Sequence, residues 1–455
     1  DMSKINELES KPVGKLLLQY SMPAILGLFA NSFYIVIDRI FIGSIPNIGA
    51  IALNAVGLTV PITTIILALS AMIAFGSAGN ISIKLGQDKR EEAENTLGNA
   101  FVLSIVVGVT ITALFFVFQN KVFAFIGIQG ETLSYAKSYT TIIVLGTVFN
   151  ILGFALPILV RSYGNPTFSA IITLTGCALN IGLDVLFIPV LNMGIEGAAV
   201  ATVLSQFVTV ILGLAYFKTQ KTTLHIEKRI FKVQPKLVKE IVSIGLSPFS
   251  NQLSITVAQF VSNYALRLYG GESAVGAMTI ITSVASMFLM PVYGIAQGMQ
   301  PIVGYNYAKK LYKRVIKTLA QAIILGLAIL GTGTCLTLLF PTSIVGLFNH
   351  NSELANITLV GLTKYMLLLP FAVIPTFGSG FMSLTNRAKT AVFINITRQA
   401  IILTLVICFL PRLIGTNGLW FAQSIADILS SLLVVLVFVK GYGHIFQKNE
   451  NIKSE

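Results

Sequence analysis

The chain has 455 residues, of which 55% are hydrophobic and only 11% are charged, and its mean hydropathy is +0.82. This composition excludes an ordinary soluble domain and indicates a polytopic membrane protein. The net charge of +13 could suggest nucleic acid, but the basic residues lie between apolar segments and are therefore read as a topology signal. We expect no nucleic-acid partner.

Apolar segments long enough to cross about 30 Å of hydrocarbon recur along the chain. They predict twelve transmembrane helices, at about 16–42, 51–78, 97–118, 137–160, 167–190, 195–217, 237–266, 272–300, 318–340, 356–384, 391–411 and 417–439. Most of the 31 Lys and Arg residues fall in the N-terminal segment, the even-numbered loops or the C-terminal segment. The positive-inside rule then places both termini in the cytoplasm. Residues 1–15 have no small-residue cleavage site, so no removable signal peptide is expected.

The two halves of the chain form an internal repeat. The segment that follows Lys15 aligns with the segment that follows Lys239, with Pro23 on Pro248. The second half keeps the polar positions of the first helix but not its carboxylate. Because six helices return the chain to the cytoplasm, both repeats have the same orientation, and we predict two pseudo-symmetric six-helix bundles. The predicted domains are an N-terminal lobe (1–217), a basic cytoplasmic linker (218–236) and a C-terminal lobe (237–455).

Two carboxylates interrupt the apolar spans of the first half. Asp184 shares a helical face with Asn180, one turn earlier, and Asp38 lies on a polar face of the first helix. An ionisable group within a membrane span is costly and indicates a functional site by default. Hydrogen bonding between helices is the structural alternative, but an amide or hydroxyl would serve it at less cost. With the Thr202 hydroxyl, these oxygens would suit a sodium ion, or the carboxylates could share a proton.

These residues resemble the multidrug and toxic compound extrusion (MATE) family, and the resemblance covers nearly the whole chain. It rests on SMPAILGLFANSFYIVIDRIFIG, ALNIGLDVLFI, GIEGAAVATVLSQ, GMQPIVGYNYAKK and NGLWFAQSIADILS. It implies a V-shaped, twelve-helix antiporter that exports amphipathic, often cationic drugs or toxic compounds in exchange for inward sodium ions or protons. Between residues 247 and 266, the seventh helix has amides such as Gln252, Gln259 and Asn263 but no acid, which resembles the DinF-like or MepA-like branch rather than the NorM-type branch.

The resemblance also implies site residues. The cation or proton site is expected at Asp38, Asn180, Asp184 and Thr202, with the Ala198 backbone as a further ligand, and the first helix is expected to bend at Pro23. We expect no enzyme activity, no cofactor and no metal other than sodium, in a multi-pass protein of a bacterial plasma membrane that functions as a monomer.

Substrate contacts are argued from residue type, because drug-sized ligands favour apolar and aromatic walls with a few polar anchors. Flexible methionines suit such a pocket, although ordinary helix packing is the alternative for the methionines and Phe154. The candidates are Asn31, Tyr34, Asn150, Phe154, Gln206, Gln259, Met287 and Met290.

Other functions stay open at this point. A lipid or lipid-linked oligosaccharide flippase is the alternative function, although such a cavity needs basic groups and the deep charge of the first lobe is acidic. A channel or an intramembrane enzyme is a third possibility, without a recognisable filter or catalytic motif in the sequence. Arg398 and Asp427 in the last two helices are predicted to form a buried ion pair, or to take part in function.

Overall fold

The computed structural model describes residues 7–219, 228–346 and 352–442. Residues 220–227 of the predicted linker lie outside this range. The described chain is helical and contains no strand. We number its helices from Val13: α1 Val13–Gly43, α2 Gly49–Leu58, α3 Val60–Gly86, α4 Arg90–Ile126, α5 Glu131–Leu145, α6 Thr147–Ser162, α7 Pro166–Val185, α8 Gly194–Lys218, α9 Pro235–Ala308, α10 Tyr312–Leu339, α11 Pro341–Gly346, α12 Ser352–Leu367, α13 Val373–Leu384, α14 Ala388–Ile396, α15 Leu403–Ile414 and α16 Thr416–Gly441.

Helices cover all twelve predicted spans. Within the described ranges, nine helices are long and apolar enough to cross a membrane. Two further spans are bent pairs, α5 with α6 at 55° and α12 with α13 at 50°. The remaining predicted span, 237–266, is the first part of α9, which Gly271 (φ 68°) separates from the second part. The chain is thus an all-α, multi-pass membrane protein.

The helices pack as two compact units. Leu26–Phe249 lie in the first unit, whereas Lys11–Ile25 and the chain from Ser250 onward lie in the second. The start of α1 therefore belongs to the second unit and the start of α9 to the first, and we call these two stretches the exchanged segments. Within the first unit α6 packs on α3 and α8, and α8 packs on α7. The predicted lobes, 1–217 and 237–455, stay predictions.

Glycines allow the exchanged segments to approach their neighbours closely. A Cβ atom on Gly76 would lie 2.1 Å from the carbonyl oxygen of Ile241, and one on Gly245 would lie 2.0 Å from that of Met72. Here α3 and the start of α9 touch backbone to backbone. Gly298 gives the start of α1 the same close approach within the second unit. Such contacts matter in a membrane because helix association depends on van der Waals packing rather than on the hydrophobic effect.

A buried cation also holds the start of α9. The Lys84 ammonium lies 2.7 Å from a Glu92 carboxylate oxygen and 2.9 Å from Glu240 Oε2. The Asn80 amide donates to that Glu240 oxygen at 3.1 Å. This network joins α3, α4 and α9 at one point of the first unit.

We predict that Gly76→Ala lowers the stability of the protein by about 1–3 kcal/mol, because the added methyl group overpacks a backbone contact. Gly57→Ala is the control, since a Cβ atom there would meet nothing within 4 Å. Thermal unfolding of both variants in the same detergent measures the difference. Equal unfolding temperatures for the two variants would contradict the prediction.

Candidate functional site

Helix α7 begins and ends in ways that position its polar face. Asn165 caps it, because the Asn165 side chain accepts a hydrogen bond from the Phe168 N–H at 3.1 Å. The α-helix ends at Val185 and continues as a π-helical segment, Leu186–Val190. The change in winding thus comes directly after Asp184. π-Helical turns are rare and frequently accompany functional sites.

The two predicted carboxylates come together in the first unit. Asp184 is 0% exposed and Asp38 is 8% exposed. Their carboxyl groups face each other closely enough to form a hydrogen bond if one of them carries a proton. Among the described residues, no N–H or O–H group reaches either oxygen of Asp184 or Oδ1 of Asp38. The site therefore presents buried acceptor oxygens without donors.

A chain of two hydrogen bonds fixes the side chain of Asn180, the third residue that contributes a buried acceptor oxygen. The amide nitrogen of Asn180 donates to the Thr202 hydroxyl at 3.3 Å, and that hydroxyl donates to the Ala198 carbonyl at 3.1 Å. Because its nitrogen is held by α8, the amide oxygen of Asn180 is oriented, and no donor in the described chain reaches it. The Ala198 carbonyl, predicted as a further ligand, is already bonded to Thr202.

Two tyrosines border these carboxyl groups. Tyr34 lies within electrostatic reach of Asp38, Asp184 and Cys177. Tyr139 of α5 lies within reach of the same two carboxyl groups and is 8% exposed. Tyr139 is not predicted from the sequence, because its span, 137–160, has several polar residues and nothing local shows which of them face the acids.

The predicted substrate contacts of the first unit lie on three helices, α1, α6 and α8. Asn31 is exposed on α1, whereas Tyr34 lies beside the acids. Asn150 and Phe154 lie on α6, where the Phe154 ring meets Phe75 edge-on at 6.1 Å between centroids. Gln206 lies on α8, close to α6: a Cβ atom added to Gly153 of α6 would lie 3.3 Å from the backbone oxygen of Gln206.

The candidates of the second unit all lie on α9. Gln259 lines a cavity. Met287 is 58% exposed, and Met290 is half-buried and does not line that cavity. The roles of these residues stay predictions.

The acceptor oxygens fit some ions and not others. No group of three or more His, Cys, Asp or Glu residues that could hold a metal occurs among the residues that the structure describes. Carboxylate and amide oxygens suit hard cations, and facing carboxyl groups suit a proton.

Both halves of the chain match one sequence family. Residues 23–186 and residues 249–410 match the model of the MatE family. The chain belongs to the MATE family. The resemblance seen in the sequence is thereby confirmed, and the family is one of multidrug efflux transporters.

Similar proteins span nearly the full chain. The multidrug export protein MepA of Staphylococcus aureus is 25% identical over 431 residues, which are 94% of this chain and 94% of MepA. A solved structure of a MATE protein in the bent conformation has a TM-score of 0.91 at 22% identity and covers 98% of each chain. A MOP superfamily transporter from Pyrococcus furiosus has a TM-score of 0.89 at 23% identity, covering 96% of this chain and 97% of its own. These structures establish the MATE fold.

We predict that Thr202→Val lowers stability by about 1–3 kcal/mol, because the buried Asn180 amide loses its acceptor while the side-chain shape is kept. Ser205→Ala is the control, since Ser205 Oγ on the same helix donates only to the Thr202 backbone oxygen, at 2.9 Å. Thermal unfolding in lipid nanodiscs measures both. A Thr202→Val protein as stable as Ser205→Ala would show that the Asn180 contact is not needed.

Proposed function

We propose that this transporter is an antiporter that exports amphipathic cationic compounds while protons or sodium ions enter. The main support for this proposal is the set of buried oxygens of Asp38, Asn180 and Asp184 that no donor of the described chain reaches. A buried acceptor without a partner costs about 1–3 kcal/mol, and a buried charge costs more. A cation bound among these oxygens removes that cost.

Either coupling ion can satisfy this geometry. A sodium ion would be coordinated by carboxylate and amide oxygens, which are its preferred kind of ligand. A proton would instead sit between Asp38 and Asp184, because two facing carboxyl groups can share one proton while two bare carboxylates repel each other. The ion is transported, so it is a substrate of the site and not a resident cofactor.

Exchange follows from competition for the same negative charge. A lipophilic cation that is to be exported binds while the carboxylates of Asp38 and Asp184 are negatively charged. The entering ion neutralises this charge and thereby lowers the affinity for the drug. If the two ligands cannot be bound together, alternating access couples their movements without a relay between distant sites.

Pro23 is proposed as the point where α1 bends. It has no N–H group to donate to the Gln19 carbonyl, so the helix lacks one bond there. The residue stands close to the change from the second unit to the first, after Ile25. In the repeat, Pro248 stands close to the corresponding change at Phe249. Both exchanged segments thus lack a helical bond near their ends.

The topology belongs to the same proposal. The basic loops support a topology with both termini in the cytoplasm of a bacterial cell. An inward ion gradient would then drive export across the plasma membrane. The protein is proposed to act as a monomer on small-molecule substrates.

We expect Asp184→Asn to abolish efflux of a fluorescent lipophilic cation from proteoliposomes. The amide keeps the side-chain volume but loses the charge that both ligands need. A sodium gradient and a pH gradient are imposed separately, so the wild type also identifies its coupling ion. Glu196→Gln is the matched control, because Glu196 is an exposed acid in the first turn of α8.

Two results would overturn the proposal. One is full gradient-driven transport by folded Asp184→Asn. The other is a wild-type protein that transports under neither gradient.

We expect Pro23→Ala to slow transport several-fold while ion binding to the purified protein is unchanged, because the restored N–H straightens α1 without touching the acids. Pro166→Ala is the control, since a proline at the first position of a helix interrupts no helical bond. Efflux rate and sodium or proton binding are measured on the same preparations. Equal efflux by both variants would remove Pro23 from the mechanism.

A further inference from the structure

The second unit contains a cavity of about 510 Å³ that takes no part in the proposed coupling site. Its walls come from both parts of α9, from α12 and the turn after it, from the π-helical segment Thr397–Ile402, and from α16. All of its lining residues follow Ser250, so it lies wholly within one unit. Its size is that of an ordinary small-molecule pocket, about 300–1,000 Å³.

The wall of this cavity contains a buried ion pair between Arg398 and Asp427. Arg398 Nε donates to Asp427 Oδ1 at 2.7 Å, and the two side chains are 8% and 1% exposed. Gln423 Nε2 donates to the same oxygen at 3.1 Å. The other oxygen, Asp427 Oδ2, is buried, and no donor in the described ranges reaches it. The ion pair therefore has no net charge, and Asp427 Oδ2 remains available as a hydrogen-bond acceptor.

The remaining polar wall is neutral and rich in acceptors. Four hydroxyl groups that line the cavity each donate to a carbonyl about one turn earlier, which leaves only their lone pairs for a ligand. They are Thr279, Thr282, Ser283 and Ser286. The amides of Gln259 and Asn263 also line the cavity. A ligand here would therefore have to bring hydrogen-bond donors.

The net charge selects among such ligands. A charged compound would lose its hydration in this cavity and meet no uncompensated opposite charge, which is unfavourable. The internal repeat also shows that the second half has lost a negative charge, because the neutral Asn263 occupies the position of Asp38. The buried acid of the second unit, Asp427, is neutralised by Arg398.

We infer that this cavity binds an uncharged polyhydroxylated compound with the chemistry of a saccharide. Ligand hydroxyls donate to the Ser and Thr lone pairs and to Asp427 Oδ2, and accept from the amides of Gln259 and Asn263. Tyr293 and Tyr365, which also line the cavity, supply apolar ring faces. This site goes beyond the proposed antiport and does not depend on it.

The test uses the full chain in lipid nanodiscs, because maltoside detergents carry sugar head groups. The probes are three disaccharides of similar size: neutral cellobiose, cationic chitosan disaccharide and anionic cellobiouronic acid. Equilibrium dialysis measures binding without any gradient, so the result is independent of ion coupling. The single tryptophan, Trp420, follows the lining residue Leu419 and is 2% exposed, so its emission reports whether the ligand enters the second unit.

We expect cellobiose to bind saturably, to change Trp420 emission, and to bind at least tenfold more tightly than either charged probe. Asn263→Leu should weaken cellobiose binding roughly tenfold, through loss of the amide's hydrogen bonds. Asn251→Leu is the control, since Asn251 lies on the same helix but does not line the cavity. Asp427→Asn leaves Arg398 uncompensated and should shift the preference to cellobiouronic acid.

Three results would each overturn the inference: no saturable cellobiose binding, equal binding of all three probes, or Asn263→Leu binding cellobiose as the wild type does. If Asp427→Asn does not fold, the comparison of Asn263→Leu with Asn251→Leu decides.

Discussion

Polar oxygen atoms buried inside a membrane protein must be matched by a donor or a cation, and this constraint organises both units of the chain. In the first unit, no donor of the described residues reaches Asp38 Oδ1, the amide oxygen of Asn180 or either carboxylate oxygen of Asp184. The second unit contains its own cation, Arg398, bonded to Asp427 at 2.7 Å. The first arrangement contains buried acceptors without a cation of the protein beside them, whereas the second carries its own cation, Arg398.

The repeat explains how one chain holds both arrangements. Both halves carry polar groups within their helices, but the charges of these groups differ. The second half has Asn263 where the repeat places Asp38, and it has Arg398 beside Asp427. π-Helical segments occur at both places, directly after Asp184 and around Arg398, so the irregular winding goes with the polar site and not with the sign of its charge.

Hydropathy predicted the spans well, because burial in hydrocarbon acts on each segment separately. The cost of a carboxylate in such a segment also pointed to Asp38 and Asp184. The sequence did not indicate Tyr139, since its approach to the acids depends on how α5 is rotated against α8. Neither the cavity of the second unit nor the exchange of segments at Ile25 was visible, because both depend on contacts between residues hundreds of positions apart.

The exchanged segments have a consequence for biosynthesis. A nascent chain that has inserted only its first half lacks the start of α9, which belongs to the first unit, so the groove beside Gly76 stays open. The second half, in turn, needs the start of α1, which the ribosome made first. In the finished structure, neither unit is complete without a segment from the other half of the chain.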